Sequence, residues 1–351
     1  MEGEWNLVGV QLQGTYVQRQ LDRTNRNLLL MSLTLIAAVA IYAAIEWRYF
    51  SNFFQGPVAM DAGAIAAVKA PESLPRYFVA VKGDDSIDTG VQDVEEEVSD
   101  SGSVRSQTVK AEFSVLRLGS RFLIVKRKPA DNGKAYQGAL VELPGDVHSQ
   151  IVTPLLSDNP NAEQIFLPAM LDATGFRKKG YIALAICIPV ILFALWNISK
   201  AGKRRNNPLT HPILKSLSRY GPLADTACQI DADAAGAPQR VGNALLGPSW
   251  ILLPSAFSLS VCHIPDVVWA YEKVTKRSVN FIPTGKSYAA IVFDRYGQSL
   301  EIQAGREKSE QVLGMLAERA PWAVFGFSDE LKKLAGANWA GFVAAVDARR
   351  S

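Results

Sequence analysis

Cysteine and histidine are scarce, three of each in 351 residues. Cys187 falls inside an apolar run, Cys228 and Cys262 lie further on, and residues 46–180 contain none. That stretch therefore has no disulfide to staple it, and without a C-x-x-C spacing a zinc site has no starting point. His148, His211 and His263 are far apart, and neither H-E-x-x-H nor G-x-S-x-G occurs. A zinc or Ser/His mechanism would lack its partners. No catalytic, metal or cofactor-binding residue is predicted, and the chain reads as non-enzymatic. The net charge of +3 is too small to suggest nucleic acid as a partner.

Charge is also missing from two long stretches, Leu28–Ile45 and Ile182–Ile198. At ~1.5 Å rise per residue, a helical run of roughly 17–18 residues approaches the ~30 Å hydrocarbon core of a bilayer. Both are read as transmembrane helices. Without an ionisable residue they are plain anchors rather than a pump or channel pathway. Pro189 is expected to kink the second, and Ala40 with Ala44 offers one small-residue contact for helix pairing. Trp47, Tyr49, Tyr181 and Trp196 stand where interfacial aromatics belong. Hydrophobic residues make up 48% of the chain, which suits two spans between folded domains and not a many-helix transporter.

Orientation follows from basic residues. Arg19, Arg23 and Arg26 precede the first span, and Lys200, Lys203, Arg204 and Arg205 follow the second. They outnumber Arg48, Arg177, Lys178 and Lys179 on the other side. The expectation is a multi-pass protein of the cell (inner) membrane with both termini cytoplasmic. The leader before the first span is long for a cleaved signal, so a retained signal-anchor is expected.

The predicted organisation is an N-terminal cytoplasmic tail (1–27), a span (28–45), an extracytoplasmic tether and β-rich domain (46–180), a second span (181–198), a basic connector (199–240) and a cytosolic α+β domain (241–351). Trp5, Val8, Leu12 and Tyr16 share one helical face that could lie along the membrane, although Gly9 and Gly14 favour a flexible tail equally. After a tether with one short helix near Ala62–Val68, Arg76–Lys82, Phe113–Leu118, Arg121–Lys126 and Tyr136–Leu143 have strand composition. Leu118-Gly119-Ser120-Arg121 suits a tight hairpin, and Asp146–Leu156 an amphipathic helix. The folded core, about residues 76–160, is expected to be a small barrel. The acidic run Asp93–Asp100 reads as a solvated loop, with a cation site or a patch for a basic partner as the sharper alternative. Leu167–Thr174 reads as the start of a juxtamembrane helix.

In the C-terminal part, Ser249–Leu253, Ser258–His263, Val267–Lys273, Asn280–Ile282, Tyr288–Asp294 and Ser299–Gln303 are strand candidates, with a hairpin at Arg295–Gln298. Glu307–Arg319, a Ser-capped segment from Ser328 and Asn338–Arg350 are helix candidates. Short antiparallel strands followed by a C-terminal helix suggest a PH-like α+β fold. Thr284-Gly285-Lys286-Ser287 lacks the upstream glycine and following helix of a P-loop, so a tight turn is expected there. Trp250-Ile251-Leu252, Ile264–Tyr271 (IPDVVWAY), Asn280-Phe281-Ile282-Pro283, Ala320-Pro321-Trp322 and Gly326-Phe327 carry one resemblance. With them, residues 241–351 resemble the C-terminal domain of uncharacterised two-span bacterial membrane proteins. The resemblance implies topology and no activity.

Two clusters are candidate sites. Asp266, Trp269 and Tyr271 are a candidate groove or contact; the plainer reading packs the rings into a core while Asp266 caps a turn. Lys273, Lys276, Arg277 and Lys286 are a candidate rim for anionic lipid headgroups, or else a solvated loop. The expected function is a membrane-anchored scaffold or regulatory protein, joining an extracytoplasmic binding domain to a cytosolic domain that contacts protein or lipid. Its partners would be the bilayer, other proteins or a second copy, and anionic headgroups. The alternatives are an accessory subunit of a membrane secretion or transport complex and, less favoured, a membrane-tethered hydrolase.

Overall fold

A computed structural model describes residues 12–98, 104–156, 162–279 and 282–350. Among the described residues, two helices are long and apolar enough to cross a membrane, α1 (Tyr16–Ile45) and another over Phe176–Asn206. Both exceed the apolar runs within them, because polar turns continue the first helix at its start and the second at both ends. The residues divide into two compact units, Leu35–Leu192 and a second made of the residues up to Thr34 with those from Phe193 onward.

In the Leu35–Leu192 unit, α2 (Trp47–Gln55) carries Tyr49, Phe50 and Phe53 into a cluster with Phe176 and Ala183. The buried Asn52 is fully used: its amide donates to the carbonyls of Arg48 and Pro75, both at 2.8 Å, and its oxygen accepts the Tyr77 and Phe78 N–H groups. That fixes where β2 (Phe78–Lys82) begins relative to α2, after β1 (Val58–Ala59) and α3 (Ala62–Ala66). The chain continues through β3 (Asp85–Val98), β4 (Val104–Leu118), β5 (Arg121–Arg127), β6 (Ala135–Glu142), α4 (Gly145–Ile151), α5 (Thr153–Leu156), α6 (Ala162–Ile165) and β7 (Phe166–Asp172), and then enters α7 (Phe176–Asn206).

These strands form one mixed sheet in the order β1-β2-β6-β7-β5-β4-β3. It is open, with β1 and β3 as edges, which corrects the expected small barrel. Both faces are covered, and period-2 alternation divides them. Val79, Val81, Leu123, Val125 and Leu140 pack with Ile65 of α3, whereas Phe113, Val115, Ile124 and Met170 pack under Val147 and Ile151 of α4. Gly138 is required by close approach: a Cβ there would stand 2.1 Å from the Asp172 carbonyl oxygen.

Two expectations change here. Phe166–Asp172 is the central strand β7, not a helix start. Its Leu, Ala and Met suit a helix, but the slot between β6 and β5 supplies hydrogen-bond partners on both sides. The acidic run is not a loop as far as Val98: it belongs to β3, where Asp93 meets Lys126 at 2.6 Å and Glu95 meets Lys110. Beyond the β4–β5 pairing this hairpin is a two-stranded ribbon open to water on both faces, so charges cost little there. Ser99 and Asp100 lie outside the described residues.

The second unit contains α8 (Pro212–Leu217), α9 (Leu223–Ala235) and two four-stranded sheets. One sheet comprises β8 (Gln239–Val241), β9 (Ala244–Leu246), β10 (Trp250–Pro254) and β11 (Leu259–His263). The other comprises β12 (Val267–Val279), β13 (Ile282–Asp294), β14 (Ser299–Ala304) and β15 (Val324–Phe325), with α10 (Arg306–Arg319) between β14 and β15 in sequence. Two helices close the chain, α11 (Asp329–Ala337) and α12 (Trp339–Asp347), capped by the Ser328 hydroxyl and the Asn338 side-chain oxygen. Val241, Leu246, Ile251, Ala270, Ala290 and Val292 form a core with Val312 and Leu316 of α10.

Residues 12–27 are not a tail. Leu12, Val17 and Leu21 are buried against Ile213, Leu214, Leu217, Ile230, Trp250 and Val261, and the Tyr16 N–H donates to Asp231 at 2.6 Å. Nor is 199–240 only a connector, since α7 runs on to Asn206 and α8 and α9 bring Ile213, Leu214, Leu217, Ala227 and Ile230 into this second core. Trp5 and Val8 lie outside the described residues. Thr284–Ser287 belongs to β13, where Gly285 pairs with Arg277, and is not a turn.

His211 ties these pieces together. Its Nδ1 accepts the Ile213 N–H at 3.2 Å and caps α8, so the proton sits on Nε2, 3.1 Å from the Thr24 hydroxyl. Burial first, and then the Arg204 charge, push His211 down to about 4. The unfolded ring takes up a proton near its ordinary 6.5 that the folded ring refuses. His211 thus costs nothing above pH 6.5 and lowers stability progressively as pH falls to about 4, by on the order of 3 kcal/mol in the limit. Melting of His211→Asn, which keeps a cap acceptor and does not titrate, is expected to lose less stability than wild type over this range. Parallel pH curves for the two proteins would refute it.

Candidate functional site

The Leu35–Leu192 unit holds a cavity of about 450 Å³ between the β3 end of its sheet and helices α4–α6. Its walls are apolar, chiefly Ile87, Val91, Val115, Phe122, Ile151 and Phe166, with Asp88, Thr89 and Gln150 as the polar groups. A volume in this range encloses a small ligand.

A bulge builds it. Between Asp88↔Ser114 and Gln92↔Glu112, β3 places Thr89, Gly90 and Val91 opposite Phe113 alone. Gly90 adopts φ +72°, and the Thr89 hydroxyl donates to the Phe113 carbonyl at 2.6 Å. The surplus residues swing out of the ladder and become cavity wall. Beside them Arg127, 1% exposed, donates to Glu112 at 2.6 Å and to Asp88 at 3.1 Å. Asp88 also accepts the Gly90 N–H at 3.0 Å, so the polar edge of the cavity is braced from two directions. Ile87 and Leu155 are exposed apolar side chains among the lining residues. The chemistry on offer is recognition of an apolar molecule with an uncharged or donor end. The sequence contained one signal for this site, a glycine inside a strand-forming run, which marks a bulge.

The residues singled out beforehand are distributed differently. Trp269 is buried, with its Nε1–H donating to the Gly326 carbonyl at 2.8 Å and its ring stacked on Phe293 at 5.2 Å. Phe327 and Phe342 close over it, and Tyr271 lies against it at 4.9 Å. Trp269 is therefore core beneath α11 and α12, and Tyr271 is half-buried at the edge of that cluster. Asp266 does not join them. It lies in the turn before β12, with its carboxylate 3.0 Å from His263 Nδ1 and 3.8 Å from Arg295, which also holds Asp347 at 2.6 Å.

The four basic residues are also separated. Lys276 and Lys286 are direct cross-strand partners, both exposed, on the β12–β13 ribbon. Lys273 points to the opposite face and pairs with Glu301 at 3.1 Å. Arg277 is aligned with Gly285. Burial pushes the Cys262 thiol up, so it stays protonated. Among the described residues no three His, Cys, Asp or Glu side chains come together as metal ligands would.

Residues 213–335, which cover α8 through most of α11, match the model of a domain of unknown function (DUF6709). The sequence has no match among curated proteins or solved structures.

Proposed function

We propose that the chain is a non-enzymatic membrane scaffold or regulatory protein, anchored by α1 and α7 in the cell (inner) membrane with both termini cytoplasmic. Its Leu35–Leu192 unit binds a small apolar ligand outside, and its C-terminal unit, read as PH-like, contacts protein or lipid inside. The observation that carries this reading is the division of the chain: each membrane-length helix begins in one unit and ends in the other, so the chain leaves a unit and returns to it. The apolar cavity supports the binding role, and the two small sheets backed by α10–α12 support the PH-like reading.

Two measurements test this. Exposed Cys228 is expected to react with a membrane-impermeant maleimide only after cells are opened, whereas Ser120→Cys, at the exposed β4–β5 turn, reacts in intact cells. The reverse pattern overturns the orientation. An alkyl diazirine probe is expected to crosslink between Gln150 and Phe166, and Ile87→Trp, which fills the mouth from an exposed position, reduces this to background. Unchanged crosslinking would remove the cavity as the binding site.

A second reading, an accessory subunit of a larger membrane complex, is favoured by one feature. Edge strand β3 and its neighbour β4 expose Val94 and Val109 on the projecting ribbon, a surface suited to an added strand. Stoichiometric co-purification of a second chain in mild detergent is its expected signature, and a clean monomer or homodimer counts against it.

A further inference from the structure

A second cavity, of about 400 Å³, lies within the N- and C-terminal unit, where the polar start of α1 meets the polar end of α7. Leu21, Leu29, Ala201 and Pro208 give it an apolar wall, and Arg26, Arg204 and Arg205 line it together with Asp22, Asn25 and His211. Three guanidiniums face one carboxylate, and Asp22 already accepts the Gln18 amide. His211 is held neutral at pH 7, so it adds no charge. Among the described residues none of the three arginines has a carboxylate partner in an ion pair. The Asn25 side-chain oxygen is buried without a donor. The pocket thus presents unpaired cations and one unmet acceptor.

Its position selects the source of the anion. Leu29 lies at the start of the apolar run of α1, and Leu30 and Leu33 beyond it are exposed at 54% and 56%. Headgroup chemistry therefore sits directly beside a surface suited to acyl chains. We propose that this pocket binds the phosphodiester headgroup of an anionic phospholipid. The arginines hold the phosphate through paired N–H donors, Asn25 accepts a headgroup hydroxyl such as that of phosphatidylglycerol, and Leu29 meets the acyl chain. The site differs from the Lys276–Lys286 ribbon and rests on the reading of α1 and α7 as membrane spans.

The test uses the full chain in neutral detergent, with lipid binding read by native mass spectrometry. Phosphatidylglycerol is expected to bind about tenfold more tightly than phosphatidylcholine of the same chains, and millimolar glycerol phosphate should not displace it. Arg26→Gln/Arg204→Gln/Arg205→Gln should erase the preference, and Arg26→Gln/Arg205→Gln, two exposed positions that leave the core intact, should reduce it at least about threefold. Arg23→Gln/Lys203→Gln removes exposed charge outside the pocket and should leave the preference unchanged. Equal binding of the two lipids, or a preference that survives in both arginine variants, overturns the proposal. Displacement by glycerol phosphate overturns the lipid as the source. Alkaline carbonate extraction of membranes separates the two readings: release of the protein refutes the spans, whereas retention without a lipid preference refutes the pocket alone.

Discussion

Arg127→Met is expected to destabilise the Leu35–Leu192 unit by about 3–5 kcal/mol. Arg127 is 1% exposed and its guanidinium is divided between Glu112 at 2.6 Å and Asp88 at 3.1 Å. Removing the cation leaves the Glu112 side chain, only 19% exposed, as an unpaired carboxylate against the sheet. Asp88 is 61% exposed and can turn to water, so most of the loss comes from Glu112. A double variant, Arg127→Met/Glu112→Gln, should recover a substantial part of the stability, because it removes the stranded charge as well. Chemical unfolding followed by circular dichroism measures both; a loss below about 1 kcal/mol for the single variant would refute the account. The cavity should loosen with it, since Arg127 braces Asp88 at the bulge.

Asp294→Ala is expected to cost the C-terminal unit about 3–4 kcal/mol. Asp294 is fully buried at the end of β13. One oxygen accepts the N–H groups of Tyr296 and Gln298 at 3.0 and 2.8 Å, closing the turn into β14, and the other accepts the Tyr220 hydroxyl at 2.8 Å. Burial, the largest influence on Tyr220, pushes its titration up and keeps it a donor. Alanine strands the turn amides, and the phenol retains only the Val261 carbonyl at 3.2 Å. Asn keeps the oxygen that receives the amides, so Asp294→Asn should lose about 1 kcal/mol. Equal melting points for the Ala and Asn variants would refute the assignment of the main cost to the turn amides.

Several parts of this architecture were legible in advance because their signals are local. The Leu118–Arg121 and Arg295–Gln298 hairpins form as expected, with Gly119 at φ +65° and Gly297 at φ +81°. Ser328 caps α11 as its spacing predicts. The ambiguous segments were those whose partners lie elsewhere. Phe166–Asp172 has the composition of a helix turn and becomes a strand because β5 and β6 flank it. Asp93–Val98 has loop composition and becomes a strand because β4 pairs with it in water. Trp269 and Tyr271 suit a groove or a core by their sequence alone, and the rings of Phe327 and of Phe342 in α12 packed against Trp269 favour the core. Neither cavity was foreseen: one depends on a bulge and three short helices, and the other on Arg26 meeting Arg204 and Arg205, which are far from it in the chain.

The sequence by itself determined the two membrane-length helices, the hairpins and the caps, since each depends on hydrophobic period, length or a residue's own φ preference within a few turns. Only the tertiary structure decided the open sheet order, the incorporation of Leu12–Leu21 into a core with residues 213–261, and both cavities. Contacts such as Tyr16 to Asp231 join groups far apart in the chain, and a local pattern states that a face is apolar without stating what will cover it.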